Sequence, residues 1–150
     1  MIVAIAADHG GFELKAKIVA HLKEMAHEVH DLGTDSAAPV DYPDFAKALA
    51  AEIREKKADR GILICGSGVG ACIAVNKFPV IRAGLCHDSF SAHQGVEDDD
   101  VNVLCLGARI IGVELAKELV RIWLAAVFSG AERHCRRVSK VEAIEKEFMR

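Results

Sequence analysis

Two hydrophobic periods alternate strictly along this chain, and that alternation limits the folds open to it more than any other feature. Short apolar runs of strand length occur at Ile2–Ala6, Glu28–Leu32, Gly61–Cys65, Ala83–Cys86 and Asn102–Leu106. Between them lie stretches with apolar residues at helical spacing: Phe12–Met25 (Leu14, Ile18, Leu22, Met25), Asp44–Lys56 (Phe45, Leu49, Ile53), Val69–Asn76, Asp88–Glu97 and Val113–Phe128. The connections leave little room for antiparallel hairpins. The pattern therefore predicts an α/β chain, a three-layer α/β/α sandwich around a parallel sheet. A last helix is expected from about Ser139, which stands as an N-cap with Glu142 completing a capping box. The basic stretch ERHCRRVSK is expected to precede it.

With 150 residues, the expectation is one domain over 1–150 and one core that needs no disulfide or metal. A net charge of −3 gives no general attraction to nucleic acid or anionic lipid. The start MIVAIAADHGG has no basic n-region, and no apolar run approaches the ~18 residues of a membrane span, so a cytoplasmic protein is expected. Five cysteines, at 65, 72, 86, 105 and 135, form no C-x-x-C pair, and their odd number fits a reducing compartment. With no H-x-x-x-H either, a zinc site has little support.

In an open parallel sheet, sites form outside the carboxyl ends of the strands. Here those ends are the polar, glycine-rich segments Ala7–Gly10, Gly33-Thr34, Cys65–Gly70, His87-Asp88 and Gly107–Arg109, with the long loop Gly33–Pro43 beside them. Gly66, Gly68 and Gly70 open a helix, so their amides are able to converge on an anion. A Walker A loop requires G-x-x-x-x-G-K-[ST], which is absent. A cysteine phosphatase would place an Arg where Ala71 stands. The dinucleotide fingerprint is a real rival, since GSGVGA satisfies G-x-G-x-x-A and Asp88 closes the following strand. Against it, that fingerprint belongs to the first strand-turn-helix of a domain, and here two strands come first.

Cysteines 72, 86 and 105 read as buried packing residues. Cys65 differs in position: beside a helix N-terminus its thiolate is stabilised, which suits a base or nucleophile. Ser67 is placed to donate a hydrogen bond to the same reacting group. Asp8 reads either as an N-cap or as a ligand, and His9 at a strand tip suits phosphate binding or proton transfer. Arg109 closes another strand tip. Arg133, His134, Arg136 and Arg137 read as a solvated basic surface, or as a phosphate clamp with the guanidinium fork suited to it.

Together the segments DHGGFELK (8–15), GT (33–34), DYPDFA (41–46), ICGSGVGACIAVNK (64–77), IRAGLC (81–86), NVLCLGARIIG (102–112) and RHCRRV (133–138) resemble the ribose-5-phosphate isomerase type B group and its relatives, the galactose-6-phosphate isomerase subunits. The resemblance implies aldose–ketose isomerisation through a cis-enediolate without metal or organic cofactor. It also implies a Rossmann-like five-stranded sheet in the order 2-1-3-5-4, and a homodimer with its active site at the subunit boundary; a tetramer of two such dimers is the alternative assembly. By the same resemblance Cys65 is the base, Ser67 stands where Thr is common, and Gly66, Gly68 and Gly70 hold the enediolate. Asp8, His9, Tyr42 and Arg109 then contact the substrate, while Arg133 and Arg137 grip its phosphate.

The sequence departs from the group at VEDDDVNVL, where Asp98 and Asp99 replace a His and an Asn, and that His opens the furanose ring. One expectation is that Asp98 or His9 takes over ring opening and the substrate stays ribose 5-phosphate, with Asp99 a substrate contact. A second is a substrate that needs no ring opening, such as a tetrose 4-phosphate. A nucleotide-binding module using GSGVGA with Asp88, and a sugar-phosphate sensor without catalysis, complete the alternatives.

Overall fold

The computed structural model describes residues 1–149. Its elements run β1 (Ile2–Ala7), α1 (Phe12–Glu24), β2 (Glu28–Asp31), α2 (Tyr42–Arg54), β3 (Arg60–Cys65), α3 (Val69–Val75), β4 (Ala83–Leu85), α4 (Ser89–Asp99), β5 (Val103–Gly107), α5 (Val113–Ala125) and α6 (Glu132–Phe148). The five strands form one parallel sheet in the order β2-β1-β3-β5-β4. Fold class and strand order are those expected.

The sheet has two buried faces because its central strands are apolar at every position but Arg60, the first residue of β3. Val3, Ile5, Ile62, Ile64, Leu104 and Leu106 point to one face, under Ile18 and Leu22 of α1, Val96 of α4, and Leu119 and Trp123 of α5. Ala4, Ala6, Leu63, Cys65 and Cys105 point to the other, under Leu49 and Ile53 of α2 and Ala71 and Val75 of α3. Each fully buried Leu or Ile contributes about 1.5–3 kcal/mol, which explains why a period-2 strand and a period-3.6 helix dock here rather than remain solvated. The edge strands β2 and β4 are only partly covered. At the end of β2, the buried ammonium of Lys15 donates to Asp31 Oδ1 at 2.6 Å, and that oxygen also accepts the Gly33 amide at 3.0 Å.

The last helix overturns one expectation. It begins at Glu132, so Ser139 sits exposed in its middle, and no Ser139–Glu142 capping box exists. The chain turns at Gly130 (φ +67°), the Ser129 hydroxyl accepts the Ala131 amide at 3.2 Å, and the helix starts there. A basic run is no obstacle to helix, since Arg136 donates to Glu132 one turn back at 2.7 and 2.8 Å. The basic cluster is therefore part of α6, not a prelude to it. Likewise α2 starts at Tyr42 after extended Asp41, with Pro43 in its first turn, where its missing N–H costs nothing.

Candidate active site

Strand order reverses between β1 and β3, and a crevice opens at the carboxyl ends of two adjacent parallel strands whose connections leave in opposite directions. Two glycine turns meet in it. A Cβ on Gly10 would lie 3.1 Å from the Gly66 amide nitrogen, and one on Gly11 would lie 2.5 Å from the Ile64 carbonyl oxygen. Only glycine allows the first helix to start this close to β3. Asp8, buried, uses Oδ1 to accept the amides of Gly10 and Gly11 at 2.9 and 3.2 Å. It thus ties the turn, and it also lines the cavity. His9 Nδ1 accepts the Val40 amide at 3.1 Å, which in the neutral ring leaves the proton on Nε2. That bond also fastens the 33–41 loop to the rim.

Cys65 ends β3 with its side chain on the α2/α3 face and is 5% exposed. Its sulfur accepts the Gly68 amide at 3.0 Å. Gly68 holds that amide in place with φ +78°, and a Cβ there would lie 2.6 Å from Leu85 Cδ1 and 2.8 Å from the Leu106 carbonyl carbon. The Ser67 hydroxyl oxygen accepts the Val69 amide at 3.2 Å, which leaves its own proton free to donate. Gly70 lies under the Tyr42 ring, whose Cζ is 2.8 Å from where a Cβ would stand. Arg109 lies beside Gly66: its amide donates to the Gly66 carbonyl at 2.9 Å, and its guanidinium carbon is 3.7 Å from the position of a Gly66 Cβ.

The result is a polar cavity of about 250 Å³ that brings Asp8, His9, Tyr42, Cys65, Gly66, Ser67, Gly70 and Arg109 together. A second cavity of about 480 Å³ shares His9, Gly10 and Arg109 with it and continues past Glu13 and Lys17. An elongated anion spanning both would meet the thiol at one end and the guanidinium in the middle.

Five expected residues do not line this cavity, and Gly68 is one of them, because the side of it that would carry a Cβ faces Leu85 and the main chain of β5. Asp98, on the last turn of α4, accepts Gln94 Nε2 at 2.7 Å and faces His134 Nε2 at 3.4 Å. Asp99 and Arg137 line a different groove, of about 500 Å³, between α6 and the edge of β4. Arg133 is exposed on the first turn of α6. Asp88, which the dinucleotide reading needs for a ribose hydroxyl, caps α4 by accepting the Ser91 amide at 2.7 Å, and that bond holds its carboxyl below the usual range.

The other thiols divide in a way sequence does not show. Burial pushes Cys86 up to about 11, and Cys105, fully buried, lies well above the usual thiol value, chiefly through its hydrogen bond to Cys72. Cys72 is half-buried rather than packed away, and the Cys105 thiol, helped by the Leu85 backbone and Asn76, lowers it to about 7. Two supporting residues escaped the sequence reading. His87 Nε2 accepts the Gly107 amide at 2.9 Å, directly behind the Ser67 carbonyl. Asn76 bonds both the amide and the carbonyl of Ala83, at 2.9 and 3.0 Å, and so fixes the short strand β4 to α3. Among the described residues no three His, Cys, Asp or Glu side chains converge to hold a metal ion, and no helix is long and apolar enough to cross a membrane.

A doubly wound parallel sheet with a thiol, a glycine turn and a guanidinium at its carboxyl rim is the layout of a Rossmann-like α/β enzyme of small anionic substrates. The family model described as Ribose/Galactose Isomerase matches residues 3–141. Ribose-5-phosphate isomerase B of Escherichia coli is 47% identical over 144 residues, 96% of each chain. D-erythrulose-4-phosphate isomerase of Pectobacterium atrosepticum is 44% identical over 130 residues, 85% of each. The structure of Clostridium thermocellum ribose-5-phosphate isomerase B superposes with a TM-score of 0.96 at 45% identity, covering 99% of both chains. The chain belongs to the ribose/galactose isomerase family and is a sugar-phosphate isomerase, an intramolecular oxidoreductase.

Proposed function

We propose that this enzyme interconverts ribose 5-phosphate and ribulose 5-phosphate through a cis-enediolate, with Cys65 as the base. One observation supports the reading above all: the Cys65 sulfur is held by the Gly68 amide at 3.0 Å on the wall of a polar cavity. That main-chain donor fixes the sulfur on the cavity wall, and as the base it takes the C2 proton and returns it to C1. The proton on O2 passes to O1, with the Ser67 hydroxyl as the donor within the cavity. The Gly70 amide, in the first turn of α3 with no intrahelical acceptor, stabilises the developing oxyanion; such donors contribute on the order of 3 kcal/mol each. His9, with its proton on Nε2, serves the ring oxygen when the furanose opens, and Asp8 and Tyr42 hold the sugar. Arg109 binds the phosphate together with Arg133 and Arg137. Because those two lie outside the Cys65 cavity of their own protomer, we assign them to the site of a partner in a homodimer.

A second reading has its own support. The Asp98 carboxylate is engaged by Gln94 and His134, and a relative at 44% identity is named for erythrulose 4-phosphate. A tetrose 4-phosphate cannot close a furanose, and its enzyme needs no group at that position. Aldose phosphates of four to six carbons, followed for exchange of the C2 proton with solvent deuterium, separate the two. Ribose 5-phosphate exchanging as efficiently as any tetrose phosphate removes the second reading. In the same assay Cys65→Ala is expected to lower turnover about 100-fold or more while phosphate binding persists. Activity surviving that change places the base elsewhere.

A further inference from the structure

Helix α6 spans 17 residues, and one side chain of it, His134, is buried. That residue is polar and sits between Arg133 and Arg137 in sequence. We infer that the His134–Asp98 pair aims these two arginines, so that Asp98 is a positioning residue for phosphate recognition and does not act on the reacting atoms. The inference rests on the reading that Arg133 and Arg137 hold the substrate phosphate, in their own protomer or a partner's.

The geometry is a chain of four side chains across two helices and the turn between α5 and α6. Gln94 donates to Asp98 Oδ2 at 2.7 Å, and His134 Nε2 meets Asp98 Oδ1 at 3.4 Å. On the other side of the ring, Nδ1 bonds the Ser129 hydroxyl at 2.6 Å, and the Ser129 amide donates to the Glu97 carbonyl at 2.9 Å. Both ring nitrogens are therefore used, and both tie back to α4. The remaining holds on α6 lie toward its far end, where Glu145 accepts the Val80 amide and Glu142 stands 3.9 Å from Arg82. Among the described residues neither Arg133 nor Arg137 makes an ion pair, whereas Arg136 between them is taken by Glu132. Asp99 shares the α6 groove with Arg137, while Asp98 is turned toward Gln94 and His134. The arginines stay free for an anion. The same contact accounts for a carboxylate at a position where the resemblance would place a histidine: aspartate is the partner a buried imidazole needs.

Calorimetry of the full-length protein with inorganic phosphate, together with steady-state kinetics on the aldose phosphate it turns over, tests this. Asp98→Ala is expected to weaken phosphate binding and raise KM about 10-fold each, with kcat within about 3-fold. Asp98→Asn recovers most of the affinity, because its Oδ1 still faces His134 Nε2 and the Gln94 amide rotates to offer its oxygen. Ser129→Ala, a milder change should Asp98→Ala fold poorly, is expected to weaken phosphate binding about 3-fold. In an Arg133→Ala/Arg137→Ala background Asp98→Ala adds less than about 2-fold, since the groups it acts through are gone. An undiminished effect in that background overturns the inference. So does a fall in kcat of the size given by Cys65→Ala with KM unmoved, or phosphate binding that does not depend on the arginines. Calorimetry requires no turnover, so a failure of the isomerase reading is seen separately.

Discussion

Gly68 does more for the site than its place in a glycine run indicates. Three glycines in GSGVG read alike as a cradle for an anion, yet the structure sets them apart. A Cβ at Gly66 would only touch Arg109 at ordinary contact distance, Gly70 makes room for the Tyr42 ring, and Gly68 alone adopts a left-handed φ of +78°. A Cβ at Gly68 would be strained by that φ and would strike the main chain of β5 at 2.8 and 3.0 Å. Gly68→Ala is therefore expected to cost about 2–4 kcal/mol in urea unfolding. The residual activity should fall as well, because the amide that holds the Cys65 sulfur moves with it. Gly112→Ala, with nothing within 4 Å and an ordinary φ, is the control and should unfold like the parent. At this scale the sequence placed Cys65 at the glycine turn, where the structure sets it on the cavity wall, because turn geometry is local. It did not tell Cys72 from Cys105, because their difference lies in a contact between α3 and β5.

The elements were legible for the same reason. A period of 2 or 3.6 in hydrophobicity is written within a dozen residues, and five strands and five helices follow it to within a few positions. Helix α6 was misplaced by seven residues at its start, since Glu132 and Ser139 are seven apart. Its first turns, ERHCRR, give no apolar period to read, and an S-x-x-E pattern further on offered a false cap. How α5 ends was equally hidden. Arg60, at the start of β3, donates to the carbonyls of Trp123 and Ala126 at 2.5 and 2.7 Å, and its guanidinium lies 5.3 Å from the Trp123 ring centre. It satisfies orphan carbonyls at a helix terminus from the strand beneath that helix. Arg60→Ala is expected to destabilise the protein by about 2 kcal/mol, seen as a melting temperature lower by about 6 °C. A drop under about 1 °C would mean that water replaces the guanidinium at no cost.

Across the whole molecule, the cavity at Cys65 and the arginines of α6 are two halves of a proposed site that one protomer keeps apart. Val141, Ile144 and Phe148 lie on one face of α6 at 55%, 58% and 74% exposure, above the groove against β4. On the homodimer reading this face is covered by the partner. Ile144→Asp/Phe148→Asp is expected to shift the sedimentation coefficient at micromolar concentration from dimer to monomer, with phosphate affinity lost alongside. A parent protein that already sediments as a monomer would place the arginines outside any site. The sequence by itself determined the doubly wound sheet, the rim that gathers its polar turns, and the thiol and glycine turn on that rim, because periodicity and turn geometry act over a few bonds. Only the tertiary structure decided what Asp98 pairs with, which arginines stay free, and which glycine aims the sulfur's amide. Those depend on which side chains the crossovers bring within 3 or 4 Å, and no stretch of neighbouring residues encodes that.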